Sequence, residues 1–499
     1  MRAAIAIAMV FAARFSVSAW FDPGRDGDIA WQQWLGLHIL QSGALPSALG
    51  PEAFTAPGAP WIPQEWALSI AVALTVGTPW FALLVAANTL AALAVLFFTA
   101  LAARRLGATT VPVALAVACV GFSMLESYGI RAQVFGWAFL AAIMYVLRCG
   151  KHKWWIPFIV VLWANVHASA LLAPALLALW TAGTALQERA WTAEVRRYAL
   201  LTIASAGAVF LTPLTYRLPV YAIELLHSPI RAAINEWQPS TLGAVSFTLG
   251  ALVLIAGVCI LGVDRSRRWP ELLVIGAVTY LAITAVRNVP VCAIVLAPVV
   301  AQRLGARIPA HARLNAIFAE TPACILLYSG TFAAAALSGI LLAASPQFRT
   351  GNLPQAAIAQ LAAIPGTHNL YCEDFAWCSL ALRHGNVREF IDGRCDPFPI
   401  AVWKDYVAVF RAKGSWRSIL DRRGVNAVLV DKKRALARGL ASWRGWRLAY
   451  ADDDYRLFVR SGIFPSQSSH ARRQSRAVRA PAALPRSPRM RRPRNYETL

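Results

Sequence analysis

Residues 80–103 read WFALLVAANTLAALAVLFFTALAA, and Arg104 and Arg105 follow at once. No ionisable group interrupts the run. At 1.5 Å of rise per residue, a helix of about 20 apolar residues crosses a hydrocarbon core roughly 30 Å thick. Only a structure that satisfies its own backbone can do so, and within one segment that means a helix. Comparable runs lie at 3–20, 109–125, 134–148, 198–215, 243–262, 271–286, 289–303 and 321–344, with a longer stretch from Trp154 to Thr184. The whole composition agrees. Of 499 residues 58% are hydrophobic and only 15% charged, and the mean hydropathy is +0.50. A soluble cytosolic enzyme is excluded by that balance.

The chain carries 48 Lys and Arg against 25 Asp and Glu, a net charge of +23. Position argues against a nucleic-acid partner. The tail from Gly462 to Leu499 alone holds nine Arg and one Glu, which is +8 of the total. Most of the rest sits in short clusters between apolar runs: Arg104 and Arg105; Arg148, Lys151 and Lys153; Arg189, Arg196 and Arg197; Arg265, Arg267 and Arg268; Arg303, Arg307 and Arg313. Positive loops stay in the cytoplasm. The stretch 154–184 has basic clusters at both ends, so it is read as two short helices meeting near Asn165 and His167 at the outer surface. The segment 64–78 is read as a helix lying in the interface. The expectation is about 11 transmembrane helices, with the N-terminus inside and the C-terminus outside. Val17 and Ala19 loosely fit a signal-peptide cleavage site, but Arg14 breaks the apolar centre, so residues 1–20 are taken as a retained first helix.

This divides the chain into a transmembrane domain, 1–344, whose first outer loop is 21–63; an α/β domain, 345–460, outside the membrane; and a disordered basic tail, 461–499. The second domain alternates strand-like runs (Asn369–Cys372, Val387–Ile391, Val425–Val430, Arg447–Ala451, Tyr455–Val459) with helical ones (Phe375–His384, Ile400–Arg411, Trp416–Arg423, Arg434–Trp443). Cys372, Cys378 and Cys395 fall there, so a disulfide between two of them is expected, its pairing open. No Walker loop, Rossmann fingerprint or Ser-His-Asp motif occurs.

The polar residues of the expected outer face are few. Asp22-Pro-Gly-Arg-Asp26-Gly-Asp28 follows the first helix. Its carboxylates could coordinate a divalent ion or accept a proton from a hydroxyl, or form a turn and cap the next helix. Glu65 stands between Trp61 and Trp66, as a site residue or beside an interfacial anchor. Glu126, Arg131 and Gln133 occupy the next outer loop, and Arg287 and Asn288 end a later helix. Arginine's planar fork suits phosphate oxygens; pairing with Glu126 or Glu236 is the other reading. Asn165 and His167, and then Asn235-Glu236-Trp237, complete the set. Acids and arginines gathered on one face suit an anionic, phosphate-bearing substrate and general-base chemistry. In the second domain, Asp392-Gly-Arg394 reads as a turn or as a site at a strand's carboxyl end.

With Asp26-Gly-Asp28, Gly43-Ala-Leu-Pro46, Trp61-Ile-Pro-Gln-Glu65-Trp66, Arg131-Ala-Gln133, Trp163-Ala-Asn-Val-His167, Asn235-Glu-Trp237, Arg287-Asn288 and Ile391-Asp-Gly-Arg394, the chain resembles bacterial membrane proteins of the GT-C superfamily. Those glycosyltransferases are akin to polyprenyl-phosphate-sugar and protein mannosyltransferases. The resemblance spans about residues 1–460. It implies a GT-C-like fold and transfer of a sugar from a lipid-phosphate carrier to a glycan, lipid or protein acceptor, at the outer face of the bacterial cytoplasmic membrane. Asp28 or Asp26 matches the place of the base, with Glu65 next. Arg131 and Arg287 match the carrier-phosphate ligands, with Gln133, Asn165, His167, Glu236 and Asn288 lining the substrate site. A divalent metal, magnesium or manganese, at Asp26 and Asp28 is needed by some members and not by others. A transporter or flippase of a lipid-linked intermediate, and a non-catalytic envelope scaffold, are the rival readings.

Overall fold

The structure is a computed structural model and describes residues 2–21, 26–125, 129–150, 152–240, 245–307 and 353–463. The expected span 321–344, the residues Asp22, Glu126, Lys151 and Arg313, and the tail from Phe464 onward lie outside them. The chain divides into two compact units: Met1–Ser47 with Trp61–Leu353, and Ala48–Pro60 with Pro354–Leu499. Residues 48–60, which the sequence places in the first outer loop of the helical domain, thus cluster with the C-terminal unit.

The first unit is helical. In chain order its helices are α1 (Arg2–Phe21), α2 (Asp28–Ser42), α3 (Trp66–Thr75), α4 (Phe81–Arg105), α5 (Thr110–Ser123), α6 (Ala132–Cys149), α7 (Ile156–Val166), α8 (Leu172–Glu188), α9 (Ala193–Ala208), α10 (Arg217–His227), α11 (Val245–Leu261), α12 (Arg268–Thr284) and α13 (Val289–Arg307). Among the described residues five helices are long and apolar enough to cross a membrane, or six if α11 and α12, bent by 108°, are one broken span. The sequence-based count was about eleven. It is reduced because helices such as α5 and α7 are short. At 1.5 Å per residue they reach about 20 Å or less, against the roughly 30 Å of a hydrocarbon core. The 154–184 stretch does break where expected, at His167 between α7 and the 3-10 turn Ala168–Leu171.

Long helices such as α4 are apolar nearly all round, so they do not sort a wet face from a dry one. On α4, Val95 and Leu96 are buried while Leu83, Leu90 and Phe97 are exposed, the last three at intervals of seven on one stripe suited to lipid. Helix α13 lies at the centre, with an unbroken run from Val289 to Val299 buried. Helices α2 and α3 pack backbone against backbone at Gly36, where a Cβ would meet Ser69 O at 2.0 Å. Arg148, at the end of α6, is fully buried and donates to both carboxylate oxygens of Glu271 on α12 (3.1 and 2.9 Å) and to Val295 O on α13 (2.7 Å).

The second unit is a five-stranded sheet flanked by short helices. Its strands are β1 (His368–Cys372), β2 (Val387–Glu389), β3 (Ala427–Asp431), β4 (Trp446–Ala451) and β5 (Tyr455–Arg460). Their order is β2-β1-β3-β5-β4. Strand β1 runs parallel to β2 and β3, and β5 runs antiparallel to β3 and β4. All five strands overlap the strand-like runs read from the sequence. Cys372 and Cys378 form a disulfide, and Cys395 Sγ donates to Asp392 O. The segment 48–60 adds to the β2 edge: Glu389 N–H donates to Glu52 O (2.8 Å), and Thr55 Oγ1 donates to Phe390 O (2.6 Å).

Candidate active site

Helix α2 opens on Asp28, and its first N–H is met from outside the helix. Asp26 Oδ1 accepts the Asp28 N–H (2.9 Å), the bond that an exposed helix start needs. The other oxygen of Asp26 takes a hydrogen bond from Arg131 Nη2 (2.7 Å). Arg131 precedes α6, and its Nη1 lies 3.1 Å from Asp28 Oδ2 and 3.6 Å from Glu236 Oε1. Trp31 Nε1 donates to Asp28 Oδ1 (3.1 Å). One guanidinium therefore gathers three carboxylates from two distant parts of the sequence. Burial and the neighbouring Asp26 push the Asp28 carboxyl up to about 8, against the opposing pull of Arg131 and the Trp31 N–H, with Glu65 adding to the rise. A carboxyl in that range is a usable general base near neutral pH.

Glu65 stands at the N-cap position of α3, but its carboxylate turns away from the helix start, and it is 8% exposed. Its Oε2 accepts from Gln32 Nε2 (2.8 Å) and its Oε1 from Gln64 Nε2 (3.1 Å), while Gln64 Oε1 accepts the Ala168 N–H (2.7 Å). His167 Nε2 lies 3.7 Å from Glu65 Oε1. Burial, then the charge of Arg287, holds His167 down to about 3, so its ring is neutral at any working pH.

On the other side of Glu236 the sign reverses. Trp237, the next residue, has Arg287 over its ring at 4.4 Å and Arg231 at 4.7 Å. Stacking on an indole is worth about 0.5–2 kcal/mol and leaves the N–H edges of a guanidinium free. Arg231 Nη1 donates to Leu226 O; among the described residues neither arginine pairs with a carboxylate. The 3-10 turn Asn235–Trp237 thus carries an acid that joins Arg131 and, one residue on, an aromatic platform under two cations.

The remaining expected residues are placed as follows. Asn165 Nδ2 donates to Val161 O (2.8 Å) and Leu211 O (2.9 Å), and Asn288 Nδ2 to Leu281 O (3.2 Å), so both side chains fasten helix ends. Gln133 is half-buried on the first turn of α6. Arg131, expected as a phosphate ligand, is engaged by carboxylates. Arg231, Gln32 and Gln64 were not foreseen; no spacing rule links them to their partners. In the second unit, Arg394 is fully buried among Asp392 (2.8 Å), Glu389 (2.7 Å) and Glu52 (3.1 Å), a closed ion cluster that joins 48–60 to the β2 edge.

A divalent metal does not fit this donor set. Magnesium or manganese wants about six oxygen ligands, whereas Asp26 and Asp28 already face a guanidinium. Among the described residues no group of three or more His, Cys, Asp or Glu is arranged to hold an ion.

The chain thus folds as a helical membrane unit followed in sequence by a small mixed α/β unit. Solved structures share it. The oligosaccharyltransferase AglB from Archaeoglobus fulgidus, in complex with an inhibitory peptide and a dolichol-phosphate, aligns with a TM-score of 0.54 at 12% identity, over 85% of this chain and 69% of that one. ArnT from Cupriavidus metallidurans bound to undecaprenyl phosphate aligns with a TM-score of 0.52 at 14% identity, over 93% of this chain and 98% of that one. At these identities the likeness is one of fold. No family model and no curated protein matches the chain.

Proposed function

We propose that the protein is an integral-membrane glycosyltransferase that moves a sugar from a polyprenyl-phosphate-type donor to an acceptor hydroxyl, at the outer face of the bacterial cytoplasmic membrane. The reading rests most on one observation: consecutive residues Glu236 and Trp237 tie the acid centre around Arg131 to the arginine pair over the indole. A base and a phosphate site are thereby held side by side. Two solved proteins of the same fold, ArnT with undecaprenyl phosphate and AglB with a dolichol-phosphate, are bound to lipid phosphates of this kind. Asp28, oriented by Arg131 and Asp26, takes the proton of the acceptor hydroxyl. The acceptor oxygen forms its bond to the anomeric carbon from the face opposite the leaving group, which inverts that centre. The bond from that carbon to the phosphate oxygen breaks, and its electron pair stays on the lipid phosphate. Arg287 and Arg231 stabilise the charge that develops there, an effect often worth several kcal/mol. Glycan, lipid or protein hydroxyls are all chemically suitable acceptors.

The test is transfer of labelled sugar from a panel of polyprenyl-phosphate sugars by protein in lipid nanodiscs, with envelope and lipid fractions as acceptors. Asp28→Asn should lower kcat by about 10²–10⁴, the usual worth of a general base. Arg287→Ala combined with Arg231→Ala should raise the donor KM. Transfer that survives Asp28→Asn would move the base to Glu65. Folded protein that transfers from no donor would reject the enzyme.

A further inference from the structure

Two buried polar atoms flank the Glu65 carboxylate without a hydrogen-bond partner: Gln32 Oε1 and His167 Nε2. Gln32 is 2% exposed and His167 6%. Their chemical characters are fixed by their surroundings. Gln32 turns its amide nitrogen to Glu65 Oε2 (2.8 Å), because the reverse orientation would set oxygen against carboxylate; the free atom is therefore the carbonyl, an acceptor. His167 Nδ1 accepts the Ser169 N–H (3.0 Å) and also lies 2.7 Å from Ser169 Oγ. That hydroxyl itself accepts from Trp163 Nε1 (3.0 Å), so its proton points to the ring. Nδ1 thus carries the lone pair, and Nε2 carries the proton. At 3.7 Å from Glu65 Oε1 that N–H is beyond hydrogen-bond reach.

An acceptor and a donor, both desolvated and both beside one carboxylate, match a group that donates and accepts at once. A hydroxyl does so. A phosphate oxygen would meet Glu65 as a like charge, and an ammonium has no lone pair for His167 Nε2–H. We propose that Gln32, Glu65 and His167 form a subsite for the hydroxyl-bearing edge of the transferred sugar, which accepts from His167 Nε2–H and donates to Gln32 Oε1. The sugar is assigned to the donor because Gln32 lies one helical turn beyond Asp28 on α2, the base that faces the anomeric carbon in the proposed reaction, and because His167 feels the charge of Arg287, which there holds the phosphate. This inference rests on the glycosyltransferase reading above.

The experiment uses the full chain in nanodiscs and the polyprenyl-phosphate sugar that supports transfer, with its deoxy isomers at each ring position and an amino-sugar analogue. Donor binding is measured without acceptor, and kcat/KM with it. One deoxy isomer and the amino analogue should bind about ten- to a hundredfold more weakly than the hydroxy donor, the effect of leaving buried groups unpaired. That gap should close in Gln32→Leu and in His167→Phe, with thermal unfolding confirming that each variant is folded. Deoxy isomers used as well as the parent donor by wild type would overturn the subsite and leave the enzyme standing. So would variants that change only the acceptor KM. Absence of any donor binding by folded wild type would overturn the glycosyltransferase reading together with its subsite.

Discussion

Asp28 Oδ2 lies 3.1 Å from Nη1 of Arg131, a guanidinium that also holds Asp26 and reaches Glu236. Arg131 thus makes a cluster of three acids tolerable and keeps Asp28 from rising further. Asp28 at about 8 must lose its proton to act, so kcat/KM should climb with pH through about 8 and level above it. Arg131→Lys replaces a two-pronged donor with a point charge, so the limb should move to higher pH. Stability carries the opposite sign. The unfolded carboxyl ionises near 3.8 and the folded one near 8, so the folded state binds the extra proton between them and stability falls as pH rises across that window. Denaturation of wild type and Asp28→Asn from pH 4 to 9 checks this, since the variant should lose that part of the slope. A pH–rate profile flat from pH 6 to 9 would remove Asp28 as the titrating base.

Arg148 and Glu271 form a doubly hydrogen-bonded pair with side chains 0% and 4% exposed. Arg148→Met leaves an uncompensated buried carboxylate and should lower stability by about 3–5 kcal/mol. Arg148→Met with Glu271→Leu should recover most of the loss, because a buried pair replaced by apolar groups is often neutral. Thermal unfolding in detergent measures both; an unchanged Tm in the single variant would contradict the pairing. The pair sits in the last turn of α6 and the first turn of α12, a place that suits an anchor of helix ends better than the mid-membrane relay a transporter would need.

Arg394 is enclosed by Glu52, Glu389 and Asp392. Burial, then the nearby Asp392, pushes Glu389 well above its ordinary value. The folded state therefore keeps a proton that the unfolded chain has lost above about pH 4.5, and the cluster weakens as pH rises beyond that value. Arg394→Met should cost about 3–5 kcal/mol and release residues 48–60, which limited proteolysis would detect as new cleavage within that segment. Resistance equal to wild type would show that the segment is held by other bonds.

The places where the expectations held and failed have a common cause. The run 80–103 becomes α4, and the break at His167 falls between α7 and α8, because an apolar stretch and its interruption are local properties. The disulfide was expected among three cysteines, and Cys372 with Cys378, six residues apart, could not be preferred by spacing alone. Asp26 and Asp28 were legible as candidates because a pair of acids just past an apolar run is unusual. The turn assigned to them as an alternative is also realised, since Asp26 accepts the Asp28 N–H while it pairs with Arg131; the cap is not, because Asp28 is the first helical residue and Gly27 holds the N-cap position. Among the described residues fewer segments than expected are long enough to cross, because apolarity measures only whether a segment tolerates lipid. How far each helix runs before it breaks depends on its neighbours.

By itself, then, the sequence determined a helical membrane chain with a small α/β unit near its end, and a short set of acids and arginines as candidates. These follow from free energies of transfer and from backbone hydrogen bonding, which act residue by residue along the chain. Only the tertiary structure decided that Arg131 belongs to Asp26 across 105 positions, Arg148 to Glu271 across 123 and Arg394 to Glu52 across 342. It also set Arg231 and Arg287 over Trp237. A charge near lipid must find a partner, but that demand names no position in the sequence; the packing of helices and strands chooses which partner comes within reach.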